Sequence, residues 1–545
     1  MILEREIRVN TKKFSLKKGR LRISFAVSEQ GKRIRKLFLK ERNALREVYL
    51  PFHLRCQEDL YDAYIDLDRS ELNIAFWDIV ALVEGDGEQY KAILGGQSIK
   101  LKLKLILFPR WYRKNKSHIV YPFVNGARQF TIQYRKYQEG YDSYWFILKE
   151  YLALFCYFVL KPYWDHKKIW LVCEKFCAMA QDNGLYFFQY CMEQLPEEEK
   201  KHIYYVIDKK AQDYQAVRKY EDHVIQFMSF RYMIYLCGAQ YLISTDAIRH
   251  FYIWDSPNSV YKVLYQARKH MIFLQHGVMA FKQCHRTFHK LGGNRMALFV
   301  VSSQFEQDII HQYFEYDREE IIITGLSRWD VLHDTSNKDH REILLMPTWR
   351  VWLENASGEE FRKSDYFRNY RALLCNEELQ KLLEDSNITL NFYIHPKFRD
   401  YIEEFQIHAE RVRLIPFGEQ PLNQLLMSCN MLITDYSSVA WDVYYQEKPV
   451  VFFPFDLDTY EKVQGSYVDL EKEAFGDVVH DQKELLEAIE KYVTNGFEEE
   501  KIFKQRREYL LPLRDHKNSE RIYQKIRGAK LGRKLDLRKK IGIGR

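Results

Sequence analysis

In the second half of this 545-residue chain, polar residues of reactive type follow short apolar runs again and again. His276 comes after MIFLQ and before Gly277, and His395 comes after LNFYI and before Pro396. Thr348 and Arg350 follow ILLMP. Asp435, Ser437 and Ser438 follow MLIT, with Asp442 one helical turn beyond Ser438. An imidazole titrates near neutrality and can take the proton of an attacking hydroxyl. A hydroxyl and a guanidinium can grip a phosphate, the guanidinium in bidentate fashion. Two serines at a helix start, beside unpaired backbone N–H groups, suit an anion. Lys282, His285 and Arg286 add positive charge after His276. Each residue alone has a plainer reading: a helix cap for the serines, a structural histidine, a surface loop for Thr348 and Arg350. As a set they suit group transfer on phosphorylated substrates, with a base for the acceptor hydroxyl and cations or N–H groups for a leaving phosphate. Asp456-Leu457-Asp458 has the spacing of a divalent-metal DxD, but it is read here as a wall of the donor pocket and no metal site is expected.

The elements that position these residues alternate. From residue 168, strand runs at 169–172, 203–207, 224–226, 241–244, 271–274, 298–301 and 321–324 are separated by helical stretches such as 185–195 and 230–237. A polar stretch at 334–341 separates them from a second series at 343–346, 390–394, 412–415, 431–434, 450–453 and 478–479. Alternating strands and helices imply parallel sheets, so two Rossmann-like domains are expected at 168–335 and 336–515, with ligands at the carboxyl ends of the strands. Neither GxGxxG nor GxxxxGK[ST] occurs, so dinucleotide and P-loop chemistry lack their signatures.

Residues 1–140 read as a β-rich accessory domain, with runs at 22–27, 47–54, 61–67 and 99–108 and a hairpin signal at Asn125-Gly126. Segment 141–167 is the most apolar, but Lys149, Glu150 and Lys161 interrupt it. It suits a helix in the membrane interface or a helix buried between domains, rather than a span. Residues 516–545 are strongly basic and read as a tail attracted to anionic lipid or polymer. No nucleic-acid reading module accompanies that charge. The nine cysteines are scattered without a CxxC pair, which supports neither a disulfide framework nor a zinc site and fits a reducing compartment. MILEREIRVN does not read as a signal peptide.

In order, LQHGVMAFK, TGLSRWDVL, LMPTWR, YIHPK, LITDYSSVAWDV and KPVVFFPFDLDTY resemble the CDP-glycerol glycerophosphotransferase family of teichoic-acid polymerases, over roughly residues 168–515. The resemblance implies a GT-B fold with no required cofactor, acting at the cytoplasmic face of the membrane. It implies transfer of a polyol phosphate from a CDP-activated donor such as CDP-glycerol to a hydroxyl of an anionic or lipid-linked acceptor, in teichoic-acid or capsule synthesis. His276 then stands at the position of the base and His395 near the donor diphosphate. Thr348, Arg350, Asp435, Ser437, Ser438, Asp442 and Asp456 lie on the donor side, and Lys282 and Arg286 on the acceptor side. Gln275 stands where the family often has Trp, and Gln464-Gly465-Ser466-Tyr467 where it commonly has Arg-Gly before an aromatic. A nucleotide-sugar glycosyltransferase of the same fold and a non-catalytic scaffold binding anionic polymer are the rival readings. Glycerol or ribitol donor, priming or polymerisation, and oligomeric state stay open.

Overall fold

The computed structural model describes residues 8–529 and 531, apart from 43–45, 56–59, 86, 96–100, 102–104, 106–110, 126–127, 254–268, 355, 406, 408 and 417. The described residues divide into two compact units, one drawn from 8–161 with 252–253 and the other from 162–251 with 269–531.

The first unit holds an eleven-stranded, mainly antiparallel sheet among the described residues. Its strands alternate. Leu21, Ile23 and Phe25 of Arg20–Val27 point into the core with Leu37, Leu39, Ile79 and Ala81, while Arg20 and Arg22 point out. His118–Val124 pairs with Phe130–Lys136 in a hairpin whose turn begins at Asn125; Gly126 lies outside the described residues, as does most of the run 99–108. Tyr144–Val159 is a helix capped by Ser143, whose hydroxyl accepts the Phe146 N–H at 3.1 Å. It buries Phe146, Ala153, Leu154 and Tyr157 and leaves Trp145 (80% exposed), Leu152, Phe155 (66%) and Phe158 outward. Among the described residues no helix is long and apolar enough to cross a membrane.

The second unit contains two parallel sheets. Numbered by their order along the chain, the strands of the first lie side by side as 3-2-1-4-5-6-7 and those of the second as 3-2-1-4-5-6. Strand 1 is Ile169–Cys173 in the first and Arg341–Leu345 in the second; strand 4 is Ala239–Ser244 in the first and Met431–Thr434 in the second. All thirteen strands fall within two residues of the apolar runs that announce them. In both sheets the order reverses between strands 1 and 4, the place where such folds bind ligands. The expected basic tail is corrected from 516 to 528. Asn518–Gly528 is a packed helix that buries Ile522, Tyr523 and Ile526, and Arg521 donates to the Thr324 carbonyl at 2.9 Å. Residue 530 and residues 532–545, with the rest of the basic run, lie outside the described residues.

Candidate active site

His276 is exposed on a turn whose neighbours are buried. The strand His270–Phe273 runs into Leu274, and Gln275 then takes a left-handed conformation (φ 61°). Gln275 is fully buried. Its carbonyl accepts from Asn183 Nδ2 at 2.9 Å, and its side-chain amide donates to the Val300 carbonyl. Beyond the turn, buried Glu306 accepts the Met279 N–H at 2.8 Å and the Ser302 N–H at 2.7 Å. These bonds push the His276 ring outward. Its Nδ1 lies 3.2 Å from the Thr245 carbonyl. A carbonyl only accepts, so Nδ1 carries the proton and the Nε2 lone pair is left for a substrate hydroxyl.

Asp246 and His250, not singled out from the sequence, stand beside this imidazole. The Phe176 N–H donates to His250 Nδ1 at 3.1 Å, which leaves Nε2–H to donate to Asp246 Oδ1, also at 3.1 Å. Burial opposes charge on Asp246, yet the His250 bond and the nearby His276 hold its carboxyl at about 2. One signal was available: STD after strand 4 of the first sheet occupies the place that TDY holds after strand 4 of the second.

On the second sheet, Arg350 corrects its expected role. It is 0% exposed, and no free face remains with which to grip a phosphate. Its Nη1 meets Asp435 Oδ2 at 2.8 Å and the Thr348 carbonyl at 2.6 Å. Nε and Nη2 clasp Asp456 at 2.7 and 2.9 Å. Burial works against its charge, but Asp435 and Asp456 hold it firmly protonated. Asp435 also accepts the N–H groups of Thr348 and Tyr436, at 2.8 and 2.6 Å, and the Tyr370 hydroxyl at 3.1 Å. Asp435 and Asp456 are thereby committed to bracing the loop, rather than to contacting a donor directly. That brace holds Thr348 and Trp349 half-buried at the strand ends, with the Thr348 hydroxyl buried and without a hydrogen-bond partner among the described residues.

Trp349 gathers the cations. Lys282, from the first domain, lies 5.0 Å from its ring and Lys397, from the second, 3.9 Å. The His395 ring is 6.0 Å away. Burial, then Lys282, Lys397 and Lys175, lower His395 to about 4. His395 Nδ1 accepts the Lys397 N–H at 3.2 Å, so the neutral ring presents Nε2–H as a donor. Arg286 is exposed on the short helix His285–Phe288.

Ser437 and Ser438 are half-buried at the start of Val439–Tyr445, and the expected cap is weak at best. The Ser438 side chain makes no cap bond, and Ser437 Oγ is 3.5 Å from the Val439 N–H. Gly277 packs on Ser438. Asp442 is corrected as well: it accepts Arg328 Nε and Nη2 at 2.8 Å each and Trp329 Nε1 at 2.7 Å, tying the second sheet to the loop after the first. Arg328 also holds Asp182 at 2.9 Å. A further seam was legible only as a departure from the family pattern. Tyr467 donates its N–H to the Ala280 carbonyl at 2.9 Å, and its hydroxyl accepts from the Cys284 and His285 N–H groups, each at 2.8 Å. Gly277–Ser438, Arg328–Asp442 and Lys282–Trp349 thus bring the strand ends of both sheets to one place.

Two Rossmann-like sheets joined in this way define a fold of GT-B type. The family model for CDP-Glycerol:Poly(glycerophosphate) glycerophosphotransferase matches residues 154–528, and the chain belongs to that family. It is 29% identical over 376 residues to the minor teichoic acid biosynthesis protein GgaB of Bacillus subtilis (strain 168), covering 66% of this chain and 40% of that protein. It is 30% identical over 224 residues to the teichoic acid poly(glycerol phosphate) polymerase of the same strain, covering 38% of this chain and 28% of that one. The chain therefore spans less than half the length of either relative. Among solved structures, that of the wall teichoic acid polymerase TagF is similar with a TM-score of 0.48 at 15% identity, over 70% of this chain and 97% of that one.

Proposed function

We propose that the chain transfers glycerol phosphate, or a close polyol phosphate, from a CDP-activated donor to a hydroxyl of an anionic or lipid-linked polymer. The carrying observation is that His276, with its Nε2 lone pair open, stands on the same cross-domain seam as the Lys282–Trp349–Lys397–His395 cluster. In this reading the acceptor oxygen attacks the phosphorus that bears the glycerol while His276 Nε2 takes its proton. The bond from that phosphorus to the bridging oxygen breaks and CMP departs with the electron pair. Lys175, Lys282 and Lys397 offset the charge of the leaving phosphate, and His395 donates to it as a neutral ring. The reaction so drawn calls on no cofactor. Family membership and the names of the two relatives support a place in teichoic-acid synthesis.

Peripheral attachment to the cytoplasmic membrane face belongs to the same proposal. The outward row Trp145, Leu152, Phe155 and Phe158 is the feature that supports it. Changing Phe155 and Phe158 to Asp should release the folded protein from anionic vesicles, and unaltered vesicle binding would refute attachment by this helix. For the reaction, purified protein is supplied with CDP-glycerol, CDP-ribitol or UDP-sugars and an acceptor polymer. CMP release from a CDP-polyol supports the proposal; UDP release alone would point to a nucleotide-sugar glycosyltransferase.

A further inference from the structure

The amino-terminal hairpin of the β unit is built with one sign of charge. From Arg8 to Ser28 there are seven basic residues and no acidic one. The strands Val9–Lys17 and Arg20–Val27 pair antiparallel, with Lys17 opposite Arg20, Ser15 opposite Arg22 and Lys13 opposite Ser24. The intervening pairs, Leu16 with Leu21 and Phe14 with Ile23, turn to the apolar side. Successive outward rows are about 7 Å apart, and each holds a cation. Lys12, Lys13, Lys17, Lys18 and Arg20 are exposed and form no ion pair among the described residues.

The next strand, Leu60–Asp66, brings two carboxylates to the edge of this face, and among the described residues only Asp62 forms an ion pair with the hairpin, through Arg22. Asp62 is buried and taken up by Arg22 Nη2 at 2.7 Å and Ser24 Oγ at 2.5 Å. Asp66, opposite Arg20, accepts the N–H groups of Asp68 and Arg69 at 3.1 and 3.3 Å. Exposed Tyr64 stacks with His53 (ring centroids 5.6 Å apart, planes at 12°) and lies under the Arg22 guanidinium at 5.4 Å. The face is a ladder of cations in which Lys13, Lys17 and Arg20 are unpaired among the described residues and Arg22 is shared with Asp62; Asp66 and the flat Tyr64 ring border it.

We propose that this hairpin face binds the phosphodiester backbone of the acceptor polymer, as a second site separate from the His276 centre. The inference rests on the polymer acceptor proposed above. Regular spacing favours a linear polyanion. Phosphates joined through glycerol are six bonds apart, which extended is roughly 7 Å, the separation of the rows. A membrane surface is a poorer fit, because the ladder presents no aliphatic side chain to insert beside its lysines. A second grip on the same polymer raises the local concentration of its growing end without altering the chemistry of transfer.

The test uses the whole 545-residue chain with Lys13, Lys17 and Arg20 all changed to Gln, and Lys17→Gln alone as a milder companion. All three positions are exposed, and circular dichroism with a thermal melt confirms that each variant folds. The triple variant should bind long poly(glycerol phosphate) on the order of tenfold more weakly at low salt, with Lys17→Gln between it and the unaltered chain. CMP release with a single-repeat acceptor should be unchanged. Undiminished polymer binding by the folded variants would overturn the proposal. So would a loss confined to anionic vesicles, or to RNA, with polymer binding kept. Binding is read without donor, so absence of CDP-polyol turnover would refute the transferase reading and leave the hairpin result standing by itself.

Discussion

Gly277 touches Ser438: a methyl group built on the Gly277 α-carbon would meet Ser438 Oγ at 2.4 Å and Ser438 Cβ at 2.9 Å. The turn that carries His276 is therefore seated on the serine pair of the other domain, and only a residue without a side chain allows that approach. Gly277→Ala should lower kcat by about tenfold or more through displacement of the imidazole, with the far-ultraviolet spectrum unchanged. Adding Ser438→Gly, which removes the opposing atoms, should restore a good part of that loss. A double variant no better than Gly277→Ala would show that the contact is not what positions the turn.

Arg350 gives a second outcome, one of stability. Arg350→Met leaves buried Asp435 and half-buried Asp456 without their shared cation, a change of the kind that costs about 3–5 kcal/mol. Denaturant unfolding should show a lower midpoint with an unchanged slope. Asp456→Asn should cost less, because Arg350 keeps Asp435. Equal stability of Arg350→Met and the unaltered chain would remove the brace from the account.

Asp246 bears on proton transfer. Its carboxylate is close enough to feel charge on His276 and offsets the positive charge that grows on the ring as the acceptor proton is taken. Asp246→Asn should lower kcat by about tenfold with an unchanged melt. His250→Gln, which loosens the same carboxylate, should lower it less. An unchanged kcat in folded Asp246→Asn would leave Asp246 with a structural role only.

His395 predicts a dependence of stability on pH. Burial and three lysines hold it at about 4 in the folded chain, below the ordinary imidazole value of 6.5. The unfolded chain then binds the extra proton first, so this residue's contribution is intact above 6.5 and is lost as pH falls from there through about 4. His395→Gln should flatten that part of the stability curve, as read by thermal melts across the range. A curve that stays as steep in the variant would place the titrating group elsewhere.

What was legible before folding follows from range in sequence. The strands of both parallel sheets were readable because a buried strand is a short apolar run bounded by polar residues, and Met431–Thr434 or Leu298–Val301 needs no distant partner to look that way. Arg350 was not readable in its role, because its partner Asp456 lies 106 residues away and a sequence displays a guanidinium without showing what encloses it. Asp442 misled in the same way through Arg328, 114 residues off. The helix Asn518–Gly528 was hidden by charge: Arg521, Lys525 and Arg527 dominate a segment whose Ile522, Tyr523 and Ile526 form the packed stripe. Asp246 and His250 show the reverse case. Their four-residue spacing was local, but only the parallel pairing of strand 4 with strand 5, His270–Phe273, sets them beside His276.

The most direct measurement is CMP release from CDP-glycerol in the presence of an acceptor polymer, comparing the unaltered chain with His276→Ala. The former should turn over. In the variant kcat should fall by at least about a hundredfold, with an unchanged melt and retained donor binding. Near-normal release by a folded His276→Ala protein would contradict the assignment of His276 as the base.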